Sequence, residues 1–179
     1  IRRRTISERH TAYRPTMLFF VPNISYIKNV LEATKTLLKN PNDLDARGII
    51  MMVASLSTSS RMGIGKEEAY AYDIYELEFL PEKLFGSSYR RSLTSIFPRF
   101  LEAMGKRHAE DVGKYYLDVF GFDSSIEESS RKLVALFSDF GVDMYYDGII
   151  NRKQVGCIPC DTELDENEIF EMINGLIRK

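Results

Sequence analysis

The chain has 179 residues, 44% hydrophobic and 28% charged, with a formal net charge of −2. That is enough chain and apolar content for one sizeable core. The near-neutral balance excludes a protein held to nucleic acid or to an anionic membrane by bulk positive charge. No apolar run approaches the roughly 18 residues a membrane span needs, because the stretch 17–21 is broken by Pro22. The sequence opens at Ile1 with no signal-peptide pattern, and its two cysteines make no disulfide framework. A reducing cytoplasm is therefore the expected compartment.

The elements follow in chain order. Arg2, Arg3 and Arg4 read as a solvated end. Across 17–40, Ile24, Ile27, Val30, Leu31, Leu37 and Leu38 recur at helical spacing until Asn40-Pro41-Asn42 stops the run. Pro22 predicts either a kink or a separate first turn. A second helix starts near Asp43. Its residues Ile49 to Val53 are apolar on every side, which predicts a central helix surrounded by others. Gly63-Ile64-Gly65-Lys66 lacks the spacing and the preceding strand of a phosphate loop.

Residues 66–80 are ambiguous. Tyr70, Ile74 and Leu77 suit a helix, whereas Tyr75, Leu77 and Phe79 alternate with Glu76 and Glu78 as a strand would, and Pro81 is expected to end the segment. Leu93, Ile96, Phe97, Phe100, Leu101 and Met104 then predict a helix over 88–105 kinked at Pro98, and a further helix covers 107–120. Ser125 with Glu128, and Asp165 with Glu168, have the spacing of capping boxes. The last helix is expected to carry Ile169, Met172, Ile173, Leu176 and Ile177 on one face, with Arg178 and Lys179 at the favourable end of its dipole. The pattern as a whole predicts one all-α domain over 1–179.

The order of certain pieces carries a resemblance. Asn40-Pro41-Asn42-Asp43-Leu44-Asp45-Ala46-Arg47 leads into an apolar helix; Ile96-Phe97-Pro98, Phe120-Gly121-Phe122-Asp123 and Phe137-Ser138-Asp139-Phe140-Gly141-Val142 follow. Together they resemble the multi-helix C-terminal domain of the iron-containing alcohol dehydrogenases and the related dehydroquinate synthase-like proteins. The tail from Gly156 is similar to that family's closing stretch, although the family's Asn-Pro-Arg is absent. The likeness covers essentially the whole chain and rests on element order with many weak matches.

The resemblance implies an oxidoreductase that passes a hydride between NAD(P) and an alcohol or aldehyde carbon. A divalent iron or zinc held by one Asp and three His polarises the substrate oxygen. It also implies a separate N-terminal nucleotide-binding domain, whose Gly-rich loop has no counterpart here. The chain has two histidines in all, His10 and His108, so three imidazoles cannot meet within it. Threading the family pattern places one ligand His on Arg4, the next near Asp73, a neighbouring cleft His near Leu77 and the last ligand on Tyr89. Arg4 would repel a divalent ion, and Tyr89 is a poor ligand below its ordinary pKa of about 10. Asp73, joined by Glu76 or Glu78, could hold Mg, Ca or Mn; the plainer alternative is an Arg4–Asp73 ion pair. No catalytic, cofactor-binding or metal-ligating residue is assigned.

Other groups read blandly. Cys157-Ile158-Pro159-Cys160 has no second Cys pair and no strand-to-helix context, so it reads as a surface turn. His10 and His108 read as exposed polar positions, and Tyr70, Tyr72 and Tyr75 as core packing with their hydroxyls at a rim. Two functional expectations remain. One is the helical, substrate-facing part of an iron-containing alcohol dehydrogenase-like oxidoreductase with a degenerate metal site. It would work on a small alcohol or aldehyde, beside a nucleotide-binding domain or within a homo-oligomer. The other is a non-catalytic helical module whose Arg4, Arg90 and Arg91 face an anionic ligand or partner.

Overall fold

Helix-stopping and helix-starting residues act in space where their spacing puts them. The computed structural model describes residues 17–57, 73–156, 162 and 164–178, and all regular elements among them are helical. In order they are α1 (Met17–Lys39), α2 (Leu44–Ser57), α3 (Asp73–Leu77), α4 (Phe79–Phe85), α5 (Tyr89–Gly105), α6 (Ala109–Tyr115), a π-helical turn (Tyr116–Phe120), α7 (Ile126–Asp139), α8 (Arg152–Gly156) and α9 (Glu166–Asn174). Among the described residues no helix is long and apolar enough to cross a membrane. The chain divides into two compact units, residues 1–71 with 118–120, and residues 72–117 with 121–179.

In the first unit α1 packs against α2. The turn between them is fixed by its own side chains. The Asn40 carbonyl accepts from the Asp43 amide at 3.1 Å, Asp43 caps α2 by accepting from the Ala46 amide at 2.9 Å, and Arg47 donates to the Pro41 carbonyl at 2.8 Å. The α1 helix runs through Pro22 without a separate first turn. The expectation that α2 is enclosed does not hold. Ala46 and Val53 are buried, but Leu44, Met51 and Met52 are 80, 70 and 55% exposed. Its apolar composition outruns the single face that α1 covers, and uncovered apolar residues are common on folded surfaces.

In the second unit the ambiguous segment is settled from residue 73 onward as helix, and residues 66–72 lie outside the described residues. Pro81 does not end it. It sits in the first turn of α4, where a missing N–H removes no intrahelical hydrogen bond. The α4 helix stops instead at Gly86, whose φ of 63° is the left-handed conformation glycine adopts without strain. The centre of the unit is α5, against which α3, α4, α6, α7 and α9 all pack. Pro98 lies inside α5, and its carbonyl accepts from the buried Ser130 hydroxyl of α7 at 3.1 Å. The core gathers Leu77, Leu80, Ile96, Ile173 and Leu176 around this helix.

Three further expectations need adjustment. Only half of the first capping box forms: Ser125 accepts from the Glu128 amide at 3.2 Å, while the Glu128 carboxylate pairs with Lys132 at 3.0 Å. The i,i+4 cation attracts it more strongly than a neutral amide. At Asp165 and Glu168 the box is complete, with bonds of 2.9 and 3.0 Å. The α9 helix ends at Asn174, short of Leu176 and Ile177. Those residues leave it to form a parallel bridge in which the Tyr146 amide donates to the Leu176 carbonyl at 2.8 Å and the Arg178 amide to the Tyr146 carbonyl at 2.9 Å. Arg178 therefore serves Asp143 and Asp147 rather than the α9 dipole.

Candidate functional site

Helical spacing explains how α5 presents its polar side chains. Ser88, Ser92 and Ser95 recur at i, i+4 and i+7, which puts them on one face. Ser92 and Ser95 are fully buried. Tyr146, on the irregular segment after α7, reaches this face: its hydroxyl lies 2.9 Å from Ser95 Oγ and 3.0 Å from Ser87 Oγ. Ser95 donates to the Ser92 carbonyl at 3.1 Å. Because Ser95 donates onward, the Tyr146 hydroxyl donates to Ser95, and the Ser87 hydroxyl lies within reach of both the Tyr146 oxygen and the Ser88 carbonyl, the latter at 3.3 Å. Phe85, at the end of α4, stacks on the Tyr146 ring at 4.6 Å and 11°, and the Arg91 guanidinium covers it at 4.4 Å.

Arg91 is already committed. It donates to the Asp143 carbonyl at 3.0 Å, to the Asp143 carboxylate at 2.8 Å and to the Tyr145 carbonyl. Arg178 approaches Asp143 from the chain's end at 3.0 Å. The result is a polar knot tying segment 143–147 and residues 176–178 to the start of α5. No reactive group in it is poised for chemistry: the Ser87, Ser95 and Tyr146 hydroxyls have partners and the charges are paired, while the buried Ser92 hydroxyl has no hydrogen-bond partner among the described residues. It positions rather than reacts.

Glu78 is different. It lies at the joint between α3 and α4 and is 3% exposed, and its Oε2 has no hydrogen-bond partner among the described residues. Burial pushes its carboxyl up to about 7, and the Glu82 carboxylate one turn away adds to the effect. Sequence reasoning weighed Glu78 only as a companion ligand to Asp73. The available signal was the 3.6-residue period, which places Glu78 on the same stripe as Ile74, Leu77 and Pro81.

The positions singled out by the family likeness fare unevenly. Arg4, His10, Cys157, Cys160, Tyr70 and Tyr72 lie outside the described residues, as do the side chains of Asp73 and Tyr75. Asp73 is the first residue of α3, Leu77 its last, and Tyr89 the first of α5. Those two helices pack together, so the three positions fall on neighbouring elements. Leu77 is fully buried among Leu80, Ile96 and Ile173, while Tyr89 is 49% exposed. Arg90 and Glu76 are exposed, and His108 immediately precedes α6.

These residues do not fit an iron or zinc site of the family type. Leu77 offers no donor atom, Tyr89 offers a phenol in place of an imidazole, and the chain holds two histidines. Among the described residues no group of three or more His, Cys, Asp or Glu is arranged to hold a metal ion. Comparison of the chain with protein-family models, with curated proteins and with solved structures finds no match.

Proposed function

We propose that the chain is the helical portion of a non-catalytic relative of the iron-containing alcohol dehydrogenases, keeping that domain's helix order and acting as a ligand-binding or interaction module. The observation that carries this reading is the state of Leu77. The position that the family likeness gives to a cleft histidine beside the metal ligands carries Leu77, which is fully buried and packed into the apolar core. An aliphatic side chain there offers no polar atom to a substrate, and the ligand positions of the likeness carry Arg4, Asp73 and Tyr89 in place of imidazoles, which speaks against Lewis-acid activation of an alcohol. Arg91, spent on Asp143 and Tyr146, leaves exposed Arg90 as the described arginine able to meet an anionic partner from this end of α5.

The oxidoreductase reading rests on the sequence likeness and makes a distinct prediction. The product of the complete gene would turn over NAD(P)H with small aldehydes, or NAD(P) with small alcohols. The test is a nicotinamide absorbance assay over a panel of such substrates with added Fe(II) or Zn(II). No turnover above the protein-free rate is expected. Metal-dependent turnover that saturates with substrate would overturn the non-catalytic reading.

A further inference from the structure

The α2 helix leaves an apolar face in water. Leu44, Met51 and Met52 stand exposed on it, and Leu44, Gly48 and Met52 recur every four residues, which makes them one ridge with Met51 beside it. Scattered apolar residues on a surface are ordinary, but a contiguous row is not. Together the three side chains leave on the order of 400 Å² of apolar surface in water, within the range at which a patch on a monomer is often functional. Asp45 and Arg47 are the charged residues of α2, and 48–57 carries none. The ridge therefore offers no charge to a nucleic acid, an anionic ligand or a strongly charged protein. The α1–α2 pair is also poor in core of its own: among its described residues Ala33, Ala46 and Val53 are the buried ones.

We propose that this face pairs with the same face of a second copy of the chain, α2 crossing α2 antiparallel about a two-fold axis at Gly48. The ridge is its own complement. Leu44 and Met52 lie one turn before and one turn after Gly48, so a two-fold there sets Leu44 of each copy between Met51 and Met52 of the other. A foreign apolar helix would have to reproduce that spacing; a second copy has it already. Gly48 supplies the close approach. A Cβ there would meet no atom within 4 Å, so nothing inside the chain calls for a glycine in the middle of this helix, where it lowers stability. At a crossing of two helices the missing side chain lets the backbones draw together and the large flanking residues interlock. The area agrees. The two ridges, with exposed Asp45, Arg47 and Ser55 at their margins, cover the roughly 1,000 Å² that a specific interface needs. Each α2 is then covered by α1 on one side and by the second copy on the other. The pairing depends on α2 alone, so its failure would leave the reading of the metal cleft untouched.

Sedimentation equilibrium of the full chain, of its Leu44→Glu and Met52→Glu variants and of an Ile149→Glu control tests it. The wild-type chain is expected to sediment as a concentration-dependent dimer. Either ridge substitution should weaken that dimer by more than about tenfold with the far-UV circular dichroism unchanged, because the two-fold puts two unpaired carboxylates into an apolar seam. Ile149→Glu charges another exposed apolar residue, outside the ridge, and should leave the dimer intact. In a chain carrying Cys157→Ser and Cys160→Ser, Gly48→Cys should cross-link two copies on mild oxidation, and Ser57→Cys at the far end of α2 should not. A chain that stays monomeric at its highest soluble concentration, whether or not it binds a different protein, would overturn the proposal. So would a dimer that Met52→Glu leaves intact. If the glutamate variants do not fold, the Gly48→Cys cross-link still decides it.

Discussion

The Arg91 guanidinium lies 4.4 Å above the Tyr146 ring and at the same time grips the Asp143 carboxylate at 2.8 Å, so one side chain fixes both ends of segment 143–146 to α5. Its charge is answered inside the fold. An arginine expected to face a partner is instead part of the scaffold, and stability rather than binding should report its loss.

Tyr146 is the centre of that scaffold and is 3% exposed. Tyr146→Phe keeps the Phe85 stack and the Arg91 contact but removes the hydroxyl that donates to Ser95, while Ser87 retains the Ser88 carbonyl as acceptor. It should cost about 1 kcal/mol, the usual net value of one hydrogen bond. Tyr146→Ala removes the ring as well and should cost about 3–5 kcal/mol, as aromatic truncations in cores do. Urea unfolding of the two variants measures both. Equal losses would mean that the ring contributes nothing beyond its hydroxyl.

A second tie carries a pH signature. Arg107 meets Glu168 with two bonds of 2.8 and 2.5 Å, and Glu168 also closes the capping box of α9. The hydrogen bond from Arg107 holds the Glu168 carboxyl below its ordinary value, with the Asp165 amide helping. Because the folded pKa is depressed, this stabilisation is present above the unfolded value and is lost as pH falls through the folded one. Acid unfolding of wild type and Glu168→Gln should therefore converge at low pH and separate toward neutrality. The separation there should be about 1 kcal/mol, as for a charge-assisted pair that is partly exposed.

Gly105, the last residue of α5, lies against Ile126, the first of α7. A Cβ there would stand 2.6 Å from Ile126 Cδ1 and 2.8 Å from Ile126 Cγ2. Gly105→Ala should destabilise by about 1–3 kcal/mol through overpacking, despite alanine's better helix propensity. Adding Ile126→Ala should recover part of the loss, which a double-mutant cycle by thermal unfolding reads directly. A stabilising Gly105→Ala would show that the helices part without cost.

Much of the helical fold was legible because local signals suffice for it. Asp43 and Asp165 announce their helices by capping three residues ahead, and the stripe Leu133–Leu136–Phe137–Phe140 needs only its own spacing. What failed depended on tertiary contacts. Pro81 looked like a terminator because its position within the turn was unknown. The α9 helix was drawn too long because Leu176 and Ile177 stay apolar after leaving it for Tyr146. The knot itself joins residues 51 to 59 positions apart, Tyr146 to Ser95 and to Ser87, and no spacing rule reaches across such a separation. At the expected metal cleft the missing histidines were countable from the sequence, but the burial of Leu77 was not.

That burial is where the non-catalytic reading stands or falls. The most direct measurement is the metal content of the purified protein after exposure to Fe(II) or Zn(II) and removal of loosely bound ion. With Leu77 in the apolar core and two histidines in the whole chain, iron and zinc should remain far below stoichiometric. Stoichiometric iron or zinc, retained through dialysis and lost on substitution of Asp73, would contradict it.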